Sequence, residues 1–372
     1  MRFRWLCFVL LFALPVAAQT LAPPPGVVID HQPAPSGLYI GSPSIAILPD
    51  GAYVASHDLF GPQSTENTSG VTRVFISHDR GATWHKTAEL SDQFWSSLFV
   101  HRGQLYLLGI TGQYGRIVIR RSSDDGATWT PPSYLSENSG YHTAPVPIVE
   151  QNGRIWRAFE YHPAGAWGGF QAFVASAPAD SNLLDPHSWS FTSRLRYPSS
   201  AAPGKTWLEG NAVNGPHHQI LDILRVDNTE KVAIDEVHGS ALQFSTLVGF
   251  PGGAKKFTIR YDPQSRRYWT LSNPAMPDEP LSQTNPAYVR NTLALMSSAD
   301  LHHWQIERIV LTHPDASNFA FQYVDWQFDG ADIIAASRTA FTDEYGGAHS
   351  FHDANFLTFH RIANFRAHTP SP

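Results

Sequence analysis

Polar and aromatic side chains that could take part in catalysis or binding stand at the ends of short apolar segments throughout the sequence. His57 and Asp58 follow one such segment, and an imidazole with an ordinary pKa near 6.5 beside a carboxyl group could exchange a proton with a substrate. Arginines at other segment ends could clamp a carboxylate through paired N–H donors. The candidates at these positions are His57, Asp58, Trp95, His101, Tyr141, His142, Glu160, Glu209, Arg225, Lys256, Arg260, Arg290, Asn291, Tyr323, Asp325, Arg338, His352, Asp353 and Asn355.

The elements that must position these residues are short strands. Runs rich in β-branched and aromatic residues recur between turn residues, and helical periodicity is nearly absent. Sequences such as Pro49-Asp50-Gly51 mark tight turns between them. The predicted strands are 44–48, 53–56, 73–77, 104–109, 116–121, 153–159, 171–176, 219–226, 257–261, 268–272, 292–297, 333–337 and 356–360. The pattern predicts an all-β chain built from hairpins.

A repeat organises these hairpins. Segment 77–84, Ser-His-Asp-Arg-Gly-Ala-Thr-Trp, matches segment 122–129 at Ser, Asp, Gly, Ala, Thr and Trp, and weaker copies end at Trp189 and Trp304. The four tryptophans, at 84, 129, 189 and 304, are 45, 60 and 115 residues apart, and the last step is two periods with one copy lost. A period of about 50 residues with hairpin chemistry indicates a β-propeller. We predict six blades, closed by a final strand within 356–365 that pairs near the N-terminus.

The repeated motif has a mechanical explanation. Asp79 and Asp124 can accept backbone N–H bonds inside a strand-to-strand turn, and Gly81 and Gly126 allow the positive φ that the turn requires. We therefore predict a structural role for both aspartates.

Composition limits the partners and cofactors. The formal net charge is -6 and no basic cluster is present, so we expect no nucleic-acid partner. Cys7 is the only cysteine, and a chain cleaved after it has no disulfide and no thiolate metal site. We expect no cofactor and no metal, although the His352-Asp353 pair leaves a metal or proton-relay alternative open.

The first residues have the pattern of an export signal. Arg2 and Arg4 precede the apolar run 5–14, and Val16-Ala17-Ala18 offers small residues for cleavage. The run has about ten residues, whereas a membrane span needs about twenty. We expect residues 1–18 to be removed and residues 19–372 to form one secreted or periplasmic domain, monomeric and not membrane-bound; a retained anchor is the alternative.

The motif Ser-x-Asp-x-Gly-x-Thr-Trp resembles the Asp-box of sialidases and related six-bladed β-propellers. Segment 39–51 is similar to the first strand pair of that family. Segment 207–211, followed by 221–225, resembles the strands that carry its glutamate and a carboxylate-binding arginine, which match Glu209 and Arg225. Tyr323 matches the nucleophilic tyrosine. The resemblance implies that Glu209 acts as a base on Tyr323 while arginines hold a sugar carboxylate.

The sequence departs from the sialidase pattern at three places. Gly41-Ser42-Pro43 stands where the family has an arginine in Arg-Ile-Pro, and Arg338 stands where a glutamate should support that arginine. Val71-Thr72-Arg73 occupies the stretch where the acid aspartate is expected. The first two changes remove one cation and add another, so the pocket could hold an acidic sugar in a rearranged way.

The resemblance implies a secreted exo-acting glycosidase for a terminal acidic sugar, with carbohydrate as partner. A phenol ionises near pH 10, so Glu209 would accept the proton of Tyr323, and Asp58 would be the general acid. Arg225 and Arg338 would bind the acid group of the sugar. The other substrate-binding candidates are His57, Trp95, His142, Glu160, Arg260, Asp325, His352 and Asp353.

Two other functions remain open. The first is a lyase on uronic-acid polysaccharide, with His142 or Tyr323 as the base. The second is a propeller that binds carbohydrate without catalysis. The single residues also have structural alternatives: Asp58 as a turn residue, Trp95 as blade packing, and Tyr323 with Glu209 as a buried hydrogen-bonded pair.

Overall fold

The computed structural model describes residues 22–62, 70–162, 168–198, 206–277 and 285–368. These residues form six antiparallel sheets, arranged as the blades of a β-propeller. The predicted all-β, six-bladed fold is confirmed. No helix in the described ranges is long and apolar enough to cross a membrane. The predicted export signal lies outside the described residues.

Each blade is a meander that runs from the central axis outward. Blade 1 consists of Tyr39–Ile40 and Ser44–Ile47 as its interrupted inner strand, then Tyr53–Phe60, Val71–Ser77 and His85–Ser91. Blade 2 consists of Phe94–His101, Gln104–Ile110, Ile117–Ser122 and Ser133–Tyr134. Blade 3 has Tyr141–His142 and Val149–Gln151 innermost, then Arg154–Tyr161 and Gln171–Pro178, with Ser190–Phe191 and Leu195–Arg196 outermost.

Blades 4 to 6 each have a continuous inner strand. Blade 4 consists of Trp207–Asn214, Ile220–Val226, Lys231–His238 and Ala241–Gly249. Blade 5 consists of Thr258–Asp262, Arg267–Ser272, Thr292–Ser298 and Gln305–Thr312. Blade 6 consists of Ala320–Asp329, Asp332–Ala340, Phe356–Ile362 and, outermost, Val27–His31. Short 3₁₀ turns occur at Ala34–Ser36, Pro186–Ser188, Pro286–Tyr288 and Phe365–His368.

The ring closes by pairing the two ends of the described chain. Strand Val27–His31 pairs antiparallel with Phe356–Ile362, with Val28 opposite Thr358. This pairing covers an edge of blade 6 that would otherwise expose unpaired backbone groups. The predicted closing strand is therefore confirmed.

A cluster of buried apolar side chains lies at each of the six blade interfaces of the described structure. Alternate residues of a strand enter different clusters: Ile334 and Ala336 face blade 1, whereas Ile333 and Ala335 face blade 5. Both faces of the strands are thus buried, which explains why they read as apolar runs in the sequence.

The repeated turns have the predicted hydrogen bonds. The Asp79 carboxylate accepts the backbone N–H of Thr83 at 2.8 Å and its hydroxyl at 2.6 Å. Asp124 binds Thr128 in the same way, at 2.8 and 2.6 Å. These turns set the direction of the outermost strands and confirm the structural role of both aspartates.

Blade 4 also buries two carboxyl groups side by side. Asp222 and Asp235 are register partners on its second and third strands, and each has 0% of its surface exposed. Their side-chain oxygens find no hydrogen-bond partner within the described residues. Burial raises the pKa of both groups well above the ordinary range, and the Asp235 and Glu160 carboxylates raise that of Asp222 further. Because two adjacent buried carboxylates repel each other, the pair retains a proton.

The substitution Asp222→Asn should stabilise the protein in alkaline solution. A carboxyl whose folded-state pKa is raised contributes stability below its unfolded pKa of about 3.9, and that stability is lost as the pH rises through the folded value. Removing the charge should therefore raise the free energy of unfolding at pH 8 relative to its value at pH 4. Urea denaturation at pH 4, 6 and 8 measures the effect.

Asp262→Asn is the matched control, for which the expected change in the free energy of unfolding has the opposite sign. Although burial opposes the shift, hydrogen bonds from Arg366 and Ser265 hold the pKa of Asp262 at about 2. Its stabilising effect is present above the unfolded pKa and is lost on acidification, so this variant should be destabilised at pH 6 and 8. An Asp222→Asn variant that loses as much stability at pH 8 as at pH 4 would contradict the account.

Candidate active site

Three inner strands carry a β-bulge at the same end of the central channel. In blades 2, 4 and 6, two residues of the inner strand face one residue of the second strand. The first residue of each bulge has a left-handed backbone: φ is 44° at Trp95, 57° at Glu209 and 53° at Tyr323. Such a conformation costs about 1–3 kcal/mol in a non-glycine residue and is common at functional sites. The bulges turn these three side chains out of the alternating strand pattern and toward the channel.

A buried polar group from the preceding blade supports each bulge. The Glu160 carboxylate of blade 3 accepts the backbone N–H of Gly210 at 2.8 Å. Lys256, next to the inner strand of blade 5, donates to the carbonyl of Val324 at 2.9 Å. The backbone N–H of Trp95 lies against the Asp58 carboxylate of blade 1. Interactions between neighbouring blades therefore stabilise the strained conformations.

The bulges open into one cleft with a cavity volume of about 210 Å³. Its walls come from blades 1, 2, 3, 4 and 6. The lining residues are Ser42, Phe60, Phe94, Trp95, Gln113, His142, Glu209, Tyr323, Arg338 and His352. Among the described residues, no group of three or more His, Cys, Asp or Glu side chains comes together as a metal site.

Tyr323 and Glu209 share a cationic neighbour. The Arg225 guanidinium lies 3.0 Å from the Glu209 carboxylate, Nη1 to Oε2, and it also hydrogen-bonds the Tyr323 side chain. Burial disfavours the charge of Arg225, but Glu209 and Tyr323 outweigh burial, and the pKa of Arg225 is raised. Arg290 approaches Tyr323 from blade 5, with its guanidinium 5.3 Å from the ring centre and a hydrogen bond to the side chain.

A third guanidinium reaches Tyr323 from the second strand of blade 6. The Arg338 guanidinium lies 4.9 Å from the centre of the Tyr323 ring and 4.6 Å from that of Phe60, and it donates to the carbonyl of His352. Burial lowers the pKa of Arg338 to about 10, so it stays charged at neutral pH. Burial and Arg338 lower the pKa of His352 to about 4, and its Nδ1 lies 2.8 Å from Asp353. Three guanidinium groups thus surround the tyrosine.

The opposite wall combines an aromatic ring with an imidazole. The rings of Trp95 and His142 meet edge to face with centroids 4.8 Å apart. His142 Nδ1 lies 3.1 Å from Glu160 Oε2, and both side chains are buried. Since Glu160 also holds Gly210, one carboxylate connects the His142 side of the cleft to the backbone beside Glu209.

The structure brings most of the sequence-predicted residues together. Those that line the cleft are Trp95, His142, Glu209, Tyr323, Arg338 and His352. Those that stand behind its wall and hold the lining residues are Arg225, Glu160 and Asp353. The catalytic and binding roles themselves stay predictions.

Asp58, expected to be the general acid, does not line the cleft. It is 1% exposed and accepts the Thr72 hydroxyl at 2.8 Å. Burial raises its pKa to about 7, against the effects of Thr72 and of the backbone N–H groups of Trp95 and Ser42. This pKa would suit a general acid, but Asp58 lies beneath the Trp95 bulge and supports its backbone.

Three other predicted binding residues lie away from the cleft. His57 is fully buried between blades 1 and 6, where Nε2 lies 2.8 Å from Asp30. Asp325 accepts Ser44 of blade 1 at 2.8 Å and Arg260 of blade 5 at 3.2 Å, so it joins three blades. Arg260 lines a separate cavity of about 310 Å³, formed by the far ends of the inner strands. His57 and Asp325 thus contribute to blade interfaces, whereas Arg260 lies toward the opposite end of the channel.

Four lining residues were not predicted from the sequence. Ser42, Phe60, Phe94 and Gln113 line the cleft, and no motif singled them out, although Ser42 marks the missing first-strand arginine. Arg290 was a candidate because it stands at the end of an apolar segment, but no catalytic or binding role was predicted for it. Its proximity to Tyr323 depends on how blades 5 and 6 pack, which strand patterns do not reveal.

No known family profile matches the sequence, and no curated protein matches it. Solved structures do match in fold. The Hadza microbial sialidase Hz136 aligns with a TM-score of 0.63 at 11% identity, covering 91% of this chain and 68% of its own. A Penicillium chrysogenum α-L-arabinanase aligns at 0.58 and 13% identity, covering 92% of this chain and 98% of its own. A Trypanosoma rangeli sialidase aligns at 0.58 and 14% identity, covering 86% of this chain and 54% of its own. The chain thus spans about half of the last protein, and at these identities the likeness establishes the six-bladed propeller fold.

The bulge at Glu209 should not tolerate a side chain on the next residue. A Cβ atom at Gly210 would stand 2.1 Å from Asp222 Oδ1, so Gly210→Ala should lower the free energy of unfolding by about 1–3 kcal/mol through overpacking. Gly249→Ala, in the outermost strand of the same blade, is the control, because its Cβ would meet no atom within 4 Å. Urea denaturation of both variants measures the difference, and equal stabilities would show that the bulge is not constrained in this way.

Proposed function

We propose that this protein is a retaining exo-glycosidase that hydrolyses the bond of a terminal acidic sugar. The observation that carries the proposal is the convergence of three buried guanidinium groups, from Arg225, Arg290 and Arg338, around the phenol of Tyr323 and beside Glu209. A phenol needs a base before it can attack carbon, and a set of arginines is suited to a carboxylate.

Tyr323 is the proposed nucleophile and Glu209 its base. The phenol proton passes to the Glu209 carboxylate as the phenolate oxygen bonds to the anomeric carbon. Arg225 contacts both groups, so its positive charge stabilises negative charge on either partner as the proton moves between them. A covalent glycosyl intermediate on tyrosine is one of the known variants of retaining glycoside hydrolysis.

The arginines are proposed to bind the carboxylate of the sugar. Burial and neighbouring arginines lower the pKa of Arg290 and Arg338, which shows that their charges are costly where they stand. An anionic sugar group would relieve this mutual repulsion. We propose that Arg338, from blade 6, supplies the cation that Gly41-Ser42-Pro43 of blade 1 lacks. Trp95 offers its ring to an apolar sugar face.

The structural neighbours support the reaction class. Sialidases and an α-L-arabinanase with the same fold act on glycosidic bonds, as their names state. We prefer an acidic sugar to arabinose because of the guanidinium groups in the cleft. The predicted signal, with Arg2 and Arg4 before an apolar run, supports secretion as a further part of the proposal.

The test is a screen of the purified protein against 4-methylumbelliferyl glycosides of N-acetylneuraminic, glucuronic and galacturonic acids, with the neutral α-L-arabinofuranoside alongside. We expect turnover of an acidic glycoside and loss of at least about 100-fold in kcat for Tyr323→Phe and Glu209→Gln. Tyr261→Phe, an exposed tyrosine outside the cleft, is the control and should keep full activity.

The products distinguish the competing functions. A lyase acting on a uronic-acid polymer leaves an unsaturated sugar that absorbs ultraviolet light, whereas a hydrolase leaves a saturated one. Formation of an unsaturated product, or full activity in both Tyr323→Phe and Glu209→Gln, would refute the proposed chemistry. Binding of an acidic sugar without turnover of any probe would indicate a carbohydrate-binding propeller.

A further inference from the structure

We propose that His142 is the proton donor to the leaving group and that Glu160 is its positioning residue. This inference rests on the proposed glycosidase function and replaces Asp58 in the acid role. It comes from the position of His142 in the ring, from its hydrogen bond to a buried carboxylate, and from the placement of the other acid candidates.

The position of His142 suits protonation from the side opposite the nucleophile. His142 lies on blade 3 and Tyr323 on blade 6, and these blades are opposite each other in a ring of six. Both side chains line the same cleft, so they face a bound sugar from opposite directions. A retaining glycosidase requires this arrangement, because the nucleophile attacks one face of the anomeric carbon while the leaving oxygen departs from the other.

The hydrogen bond to Glu160 selects the useful form of the imidazole. His142 Nδ1 lies 3.1 Å from Glu160 Oε2, and in the proposed chemistry this nitrogen donates to the carboxylate, which can only accept when it carries no proton. Nε2 is then the nitrogen that exchanges its proton with substrate. Buried His–carboxylate pairs in other enzymes fix the tautomer and ring orientation in this manner.

Glu160 also sets the distance between the donor and the base. One of its oxygens faces His142 and the other accepts the Gly210 N–H at 2.8 Å. The carboxylate is fully buried, so neither contact is replaced readily by bulk water. The imidazole and the Glu209 bulge are therefore held by the same rigid group.

The other proton carriers of the cleft are less suitable. Asp58 lies under the Trp95 bulge and is not part of the lining. His352 lines the cleft, but it stands on blade 6 beside Tyr323, with ring centroids 6.5 Å apart, and so on the side of the nucleophile. Within the described lining, His142 is the titratable group that faces Tyr323 from the opposite blade.

The proposed steps balance in protons and electrons. In the first, the Tyr323 oxygen bonds to the anomeric carbon and its proton passes to Glu209. The glycosidic C–O bond breaks, its electron pair stays on the leaving oxygen, and that oxygen takes the proton from His142. In the second, water attacks the anomeric carbon and gives a proton to His142, while the phenolate leaves and recovers its proton from Glu209.

The test compares leaving groups that need protonation to different degrees. His142→Ala should lose about 10²–10⁴-fold in kcat/KM on a methyl glycoside of the sugar acid found in the screen, and less than about 10-fold on its 2,4-dinitrophenyl glycoside. Glu160→Gln should show the same leaving-group dependence with a smaller loss, which a merely structural role would not produce. Added azide should accelerate His142→Ala and yield a glycosyl azide of retained configuration.

His142→Gln is a second variant for the case that the alanine variant does not fold, because a glutamine amide can still donate to Glu160. Asp58→Asn is the comparison variant. Equal losses on all leaving groups for both His142 variants, or the leaving-group dependence appearing in Asp58→Asn instead, would overturn the assignment. Failure of the glycosidase proposal looks different: the unmodified protein and Tyr323→Phe would then be equally inactive on every glycoside.

Discussion

The structure depends on bulges that are strained in themselves and are held by the neighbouring blade. Left-handed backbone at Trp95, Glu209 and Tyr323 is unfavourable for residues with a Cβ, and each bulge leaves backbone groups without ladder partners. Buried side chains of Glu160 and Lys256 bind such groups from the preceding blade, and Asp58 lies against a third. The site therefore forms only in the closed ring, because a single blade would have a bulge without the buried side chain of the neighbouring blade that stabilises it. A buried charge is costly unless it is paired, so each support also depends on the bulge that it binds.

The electrostatics of the cleft follow from the same arrangement. Arg225, Arg290 and Arg338 come from blades 4, 5 and 6, and they meet at Tyr323 because its bulge projects the phenol toward the channel. In a buried site, the interactions among these charges are stronger than on a surface. Arg225 is stabilised by Glu209, whereas burial lowers the pKa of Arg290 and Arg338, so the anionic sugar group that we propose would offset part of the cost of burying these two charges.

The sequence predicted the fold well because burial on both faces leaves a strong apolar signal. Segments such as 104–109 and 333–337 lie within observed strands, whereas the outer strand His85–Ser91, exposed and polar, carries no such signal. The site was predictable where a motif named the residue, as at Glu209 and Tyr323. It was not predictable for His57 and Asp58, which are neighbours within one strand yet support different interfaces. Nor could strand patterns identify the bulges, because a bulge breaks the alternation on which such patterns depend.

The central claim is that the bulge of blade 6 presents Tyr323 as a nucleophile within a guanidinium-lined cleft. The most direct measurement is mass spectrometry of the protein, followed by peptide mapping, after incubation with a difluoro derivative of the acidic sugar that it hydrolyses, with fluoride as the anomeric leaving group and a second fluorine on the adjacent carbon. The account predicts a covalent adduct on Tyr323 that is absent in Tyr323→Phe. An adduct on Glu209 or another carboxylate, or active enzyme that forms no adduct at all, would contradict it.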